Sequence, residues 1–117
     1  METVVQAAEQ DARVTVLSIE GDASDTDRDL TRLEPLLQNL LGSGIKYLVV
    51  DMSEVTAIGC QTLAQLFWAA MLLRAEGGDM AFAAATGDVA ATLDNLGVER
   101  MVNLWAGVDE AVAAVCG

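Results

Sequence analysis

Apolar and polar positions alternate along the 117-residue chain with two different periods, and the changes of period divide it into short elements. Thr3 to Glu9 and Arg13 to Glu20 are β-branched runs separated by the polar Gln10 and Asp11. In the second run Val14, Val16 and Ser18 alternate with Thr15, Leu17 and Ile19. A period of two marks a strand, so the pair predicts a hairpin. Gly21 then opens the acidic run Asp22 to Asp29, whose carboxylates suit the positive end of a helix beginning near Asp25 to Asp27. Leu30, Leu33, Leu37, Leu40 and Leu41 continue it at helical spacing, and Gly42 and Gly44 end it. Pro35 inside this pattern predicts a kink or a late start to the regular helix.

Tyr47 to Asp51 is a nearly continuous apolar run, the mark of a strand covered on both faces. Residues 60–76 read as a long helix stopped by Gly77 and Gly78, and Met80 to Ala84 as a further apolar strand. Strand, helix and strand in this order make a βαβ unit and a parallel sheet. A helix from Asp88 to Leu96, Gly97 as its C-cap, a strand from Met101 to Trp105 and a helix from Val108 to Val115 complete the chain. There is no repeat, linker or low-complexity tract, so residues 1–117 read as a single α/β domain. The expected sheet is mixed and mainly parallel, of roughly four or five strands, flanked by about four helices.

The long helix carries more apolar surface than one packed face needs. Leu63, Leu66, Phe67, Ala70 and Leu73 form one stripe at i, i+3, i+4, i+7 spacing. Ala64, Trp68, Met71, Leu72 and Ala75 form a second beside it. A helix lying on a sheet buries one stripe, which leaves the second, with Trp68 and Met71, either as a partner surface or covered by the preceding helix.

Composition then removes several chemistries. The chain has 18 acidic and 6 basic side chains, a net charge of −12, and no histidine. A single lysine, Lys46, and five scattered arginines make no basic stripe, which argues against nucleic acid as a partner. Without histidine, Ser-His-Asp and Cys-His catalysis and most zinc sites are excluded, and no enzymatic activity is expected. The acidic cluster Asp22, Asp25, Asp27 and Asp29 lacks EF-hand spacing, so no metal and no cofactor are expected. Glycine-rich phosphate loops are absent as well. Cys60 and Cys116 are not a CxxC pair and fit two thiols in a reducing cytosol. The N-terminal residues carry no signal-peptide pattern, and polar residues interrupt the apolar stretch Val55 to Leu73. A cytoplasmic protein without membrane insertion is expected.

The segment Leu48 to Ile58, reading Leu-Val-Val-Asp-Met-Ser-Glu-Val-Thr-Ala-Ile, carries an Asp-x-Ser-x-Val-x-x-Ile pattern at Asp51, Ser53, Val55 and Ile58. A helix, Gly77-Gly78 before a strand, and Leu93, Gly97, Val98 and Arg100 follow in order. With these motifs the chain resembles the STAS domain family, the anti-sigma factor antagonists, over roughly residues 3 to 115. The resemblance implies a cytoplasmic bacterial switch in transcription and signalling control. It would bind an anti-sigma factor, often itself a serine kinase, and be regulated by phosphorylation of a serine in an Asp-Ser-Ser-Gly motif at the start of the second helix.

At that place the chain reads Gly59-Cys60-Gln61-Thr62. Gln61 stands at the phosphoacceptor position and cannot accept a phosphate, so a member locked in its binding form, or regulated otherwise, is expected. Thr62 is a neighbouring candidate hydroxyl, with helix-start hydrogen bonding as the alternative. Cys60 is either a thiol tuned by the helix N-terminus or a small loop residue. The family's loop after the second strand is also altered, with Ser24 where an aspartate is usual and Asp25 one residue late. The expected partner surface thus comprises Asp22, Ser24, Asp25, Ile58, Gly59, Cys60, Gln61, Thr62, Trp68 and Met71. Two other readings stay open: a scaffold or sensor subunit of a larger STAS assembly in stress signalling or lipid transport, including a homodimer, and a small-ligand or redox-responsive domain.

Overall fold

The computed structural model describes residues 2–8, 11–24 and 27–115 and, over 27–32, the backbone alone. Strands β1 (Glu2–Ala7) and β2 (Val14–Ala23) form the expected antiparallel hairpin, with Val5 opposite Leu17. The connection is closed by Ala8 N–H on the Val14 carbonyl at 2.8 Å and by an ion pair of Arg13 with Asp11 at 2.7 Å. Glu9 and Gln10, the first at the end of the expected strand, lie outside the described residues.

The remaining elements are α1 (Asp27–Gly42), β3 (Tyr47–Ile58), α2 (Cys60–Ala75), β4 (Asp79–Ala83), α3 (Gly87–Asn95), a 3-10 turn (Val98–Arg100), β5 (Asn103–Trp105) and α4 (Val108–Val115). The five strands lie in the order β1-β2-β3-β4-β5, and every pair after the first is parallel. This is a mixed, mainly parallel sheet with four helices, as the alternation of element types predicts.

The period-two pattern divides the core between two faces. Leu17, Ile19, Leu48, Val50, Met52, Met80 and Phe82 point to the face that packs against α1, α2 and α3. Val14, Val16, Val49, Ala81 and Ala83 point to the other, where Ala111 and Val112 of α4 cover them. Burial on both faces accounts for the unbroken apolar runs of β3 and β4.

Strand β5 is shorter than the expected Met101 to Trp105, since Met101 follows the 3-10 turn, and three further boundaries also differ from the sequence reading. Helix α1 begins at Asp27 and continues through Pro35 to Gly42, without a late start. Pro35 is exposed, so water can take up the carbonyl that it leaves without a donor. Strand β2 runs on through Gly21 and Asp22 to Ala23, and β3 continues beyond Asp51 to Ile58. Their pairing persists to Ala23↔Ile58 through register shifts after Ser18 and Gly21, and Gly21 takes the left-handed φ of +82° that such a bulge favours. Because β4 pairs with β3 only as far as Asp51↔Ala83, the ends of β2 and β3 continue as a two-stranded ribbon beyond the rest of the sheet.

Candidate functional site

The ribbon carries several of the residues expected in the partner surface. At its end Ile58 passes through Gly59 into α2, while Ala23 and Ser24 lead toward α1. The family-like motif acts here as an anchor. Asp51 accepts Ser53 N–H at 3.0 Å through Oδ1 and the Ser18 hydroxyl at 3.4 Å through Oδ2, at the point where β3 parts from β4. Val55 and Ile58 then drive the ribbon's inner face into the core at 7% and 9% exposure, and Ser53, Glu54 and Thr56 face solvent.

One carbonyl ties the two sides of the tip together. Ala23 C=O accepts both Gly59 N–H at 3.1 Å and the Thr62 hydroxyl at 2.9 Å. Thr62 is the one buried polar side chain among the described residues, at 1% exposure. Its hydroxyl joins the start of α2 to a residue 39 positions earlier. Cys60 and Gln61, the first two residues of α2, are exposed, and Cys60 is a free thiol. Gly59 occupies the N-cap, in extended conformation.

On the opposite side of the tip Asp22 is exposed and closes a tight turn, accepting Ser24 N–H at 2.8 Å. Hydrogen bonds from the Ser24 hydroxyl, and next from its backbone N–H, hold the Asp22 carboxyl below its ordinary pKa by favouring the charged form. Asp25, expected in the same patch, lies outside the described residues, as do the side chains of Asp27 and Asp29. The structure therefore brings together Asp22, Ser24, Ile58, Gly59, Cys60, Gln61 and Thr62, with Ile58 and Thr62 inside and the others at or near the surface.

From this tip α2 carries the site along its flank. Leu63, Leu66, Ala69, Ala70 and Leu73 are buried, and Phe67 stacks on Phe82 with ring centroids 6.3 Å apart. Ala69 joins the buried face although it belongs to neither expected stripe. The second stripe is uncovered: Trp68 is 42% exposed, Met71 65% and Leu72 40%. Helix α1 packs against α2 but stops short of closing over it. Between the two helices an open cleft of about 320 Å³ is lined by Glu34, Leu37, Ala64, Gln65 and Trp68. Glu34 and Gln65 were no part of the expected site; nothing in their sequence neighbourhood distinguishes them from ordinary polar helix positions.

A model of the STAS domain matches residues 5–111. The chain belongs to the STAS domain family. No curated protein matches it in sequence. Among solved structures it is similar to an anti-sigma factor antagonist from Mycobacterium paratuberculosis, with TM-score 0.84 and 22% identity over 99% of this chain and 94% of that one. A putative anti-sigma factor antagonist from Thermotoga maritima superposes with TM-score 0.85 at 16% identity, over 98% and 95% of the two chains. The phosphorylated form of the Bacillus cell fate determinant SpoIIAA gives TM-score 0.68 at 11% identity, over 96% and 99%. At these identities the likeness is one of fold. Within the described residues, no helix of this STAS domain is long and apolar enough to cross a membrane.

Proposed function

We infer that this STAS domain is a non-enzymatic interaction module that binds an anti-sigma factor, or a related partner protein, in cytoplasmic control of bacterial transcription or signalling. The observation that carries this reading is one continuous surface. It runs from Asp22 and Gln61 at the ribbon tip to the uncovered Trp68, Met71 and Leu72 on α2. Large apolar side chains beside a polar tip fit a protein interface, in which the aromatic residue anchors and the polar rim orients. The structures it is similar to include anti-sigma factor antagonists, which supports the same partner class.

Regulation by phosphate at the family position is absent in this reading, because an amide occupies it. Thr62, the nearest hydroxyl, is buried and held by Ala23, so a kinase would have to unwind the start of α2 to reach it. The protein is then constitutively competent to bind. The exposed apolar flank also suits a second copy of the chain, which keeps a scaffolding role as the second reading.

The test uses the anti-sigma factor encoded nearest to this gene. Trp68→Ala is expected to weaken its binding at least about tenfold, the scale of an interface anchor, while Tm stays within a few degrees. Binding that survives Trp68→Ala unchanged would remove the α2 flank from the interface. Incubation with a partner kinase and ATP is expected to leave the chain unlabelled, and labelling that disappears in Thr62→Val would overturn the constitutive reading.

A further inference from the structure

The cleft between α1 and α2 has a chemistry of its own. Gln65, one of its lining residues, keeps its side-chain oxygen Oε1 buried without a hydrogen-bond partner, the one such side-chain atom among the described residues. A buried amide oxygen left unpaired is disfavoured, and native structures seldom keep one without a use. The other groups of the cleft complete a set. Glu34 supplies a carboxylate whose one hydrogen bond among the described residues is a long 3.4 Å bond from the Gln38 amide, Trp68 supplies a half-exposed aromatic face, and Leu37 and Ala64 form an apolar floor. The Glu34 carboxylate and Gln65 Oε1 are its acceptors, the Gln65 amide nitrogen and the Trp68 indole N–H its donors; the carboxylate is its one charged group, and no described cation lines the cleft.

We propose that this cleft receives an arginine side chain from the partner protein, its guanidinium stacked on Trp68 and donating to Glu34 and to Gln65 Oε1. A guanidinium is planar, cannot deprotonate, and presents donors in a fork, so it can face an aromatic ring while reaching two acceptors at its edge. An ammonium offers a point charge with no plane to stack. The terminal amide torsion of Gln65 is soft, so a small rotation brings Oε1 from its sealed position toward an incoming donor. The net charge of −12 favours a cationic occupant over an acidic or neutral one. The proposal rests on docking along α2 and adds the chemistry of the partner group that enters beside it.

The test titrates the full chain with N-acetyl-arginine amide, and separately with the neutral isostere N-acetyl-citrulline amide, following the Trp68 indole and Gln65 amide signals by NMR. Saturable shifts of both signals with the arginine compound are expected, with binding of the citrulline compound about fivefold weaker or more. Glu34→Gln, a surface change that preserves the fold, is expected to reduce the arginine affinity about fivefold and to leave citrulline unchanged. Equal binding of the two compounds, or arginine shifts that ignore Glu34→Gln, would overturn the arginine site. Partner binding separates this from the docking reading: loss in Trp68→Ala but not in Glu34→Gln overturns the arginine site alone, whereas loss in neither overturns both.

Discussion

Thr62 and Asp22 show how single side chains hold the ribbon tip in shape. The Thr62 hydroxyl shares the Ala23 carbonyl with Gly59 N–H, so replacing it by an isosteric methyl leaves the carbonyl one donor. Thr62→Val is therefore expected to cost only about 1 kcal/mol, the net worth of one hydrogen bond, and to show mainly as faster amide exchange at Gly59 and Leu63. A loss several times larger in urea unfolding would mean that the hydroxyl carries more of the tip than this bond. Asp22 adds a pH dependence. Its carboxyl is held below the ordinary value of 3.8 by Ser24, so the turn's stabilisation is fully present above that value and fades as pH falls through the lowered folded-state pKa. An NMR titration of the Ser24 amide is expected to turn over below pH 3.8, and Asp22→Asn to abolish the step. A midpoint at or above 3.8 would deny the turn any preference for the charged form.

Among the elements, the α2–β4 junction is the most tightly specified. Helix α2 ends with Gly77 at φ +85° and Gly78 N–H bonded to the Leu73 carbonyl at 2.8 Å, a Schellman closure. Gly78 then passes so close to β3 that an added Cβ would lie 1.8 Å from the Lys46 carbonyl oxygen, which itself accepts Asp79 N–H at 2.9 Å. Backbone meets backbone there, and neither can turn aside. Gly78→Ala is expected to force the first rungs of the β3–β4 ladder apart, at a cost of about 3 kcal/mol and a Tm lower by roughly 10 °C. A Tm change of a degree or two would show that the junction can shift.

This glycine pair was legible in the sequence because a helix stop and a following strand leave local marks. So were the hairpin, the βαβ order and the second apolar stripe of α2, since periodicity reports on apolar faces directly, whereas periodicity left open whether α1 covers that stripe. The ribbon was not legible. Ser53, Glu54 and Thr56 interrupt the apolar run after Asp51, and what keeps them in a strand is pairing with Gly21 to Ala23, some thirty positions away and set by a bulge. The tie from Thr62 to Ala23 was hidden for the same reason, and the cleft residues Glu34 and Gln65 look like any solvent-facing helix positions until α1 and α2 are packed together. What the sequence pattern conveys is which face of an element is buried; which polar group lacks a partner emerges only from tertiary packing.

For the whole molecule the decisive quantity is charge. Of the net −12, −7 falls on residues 1–60 (4 basic, 11 acidic) and −5 on residues 61–117 (2 basic, 7 acidic), so both halves of the sequence contribute to the negative field. Two occupants of the exposed α2 flank then respond to salt in opposite directions. A second copy brings a further −12 against the first, and screening that repulsion strengthens self-association. A basic partner is drawn in by the same field, and screening slows its arrival while leaving the apolar contacts around Trp68 and Met71 intact. Raising NaCl from about 50 to 500 mM is accordingly expected to cut the association rate with the anti-sigma factor by about tenfold or more, with a smaller change in dissociation. Sedimentation velocity over the same range is expected to report a monomer throughout if the flank serves a basic partner. Dimer growing with salt, alongside a partner association rate that does not fall, would assign the flank to a second copy of the chain instead.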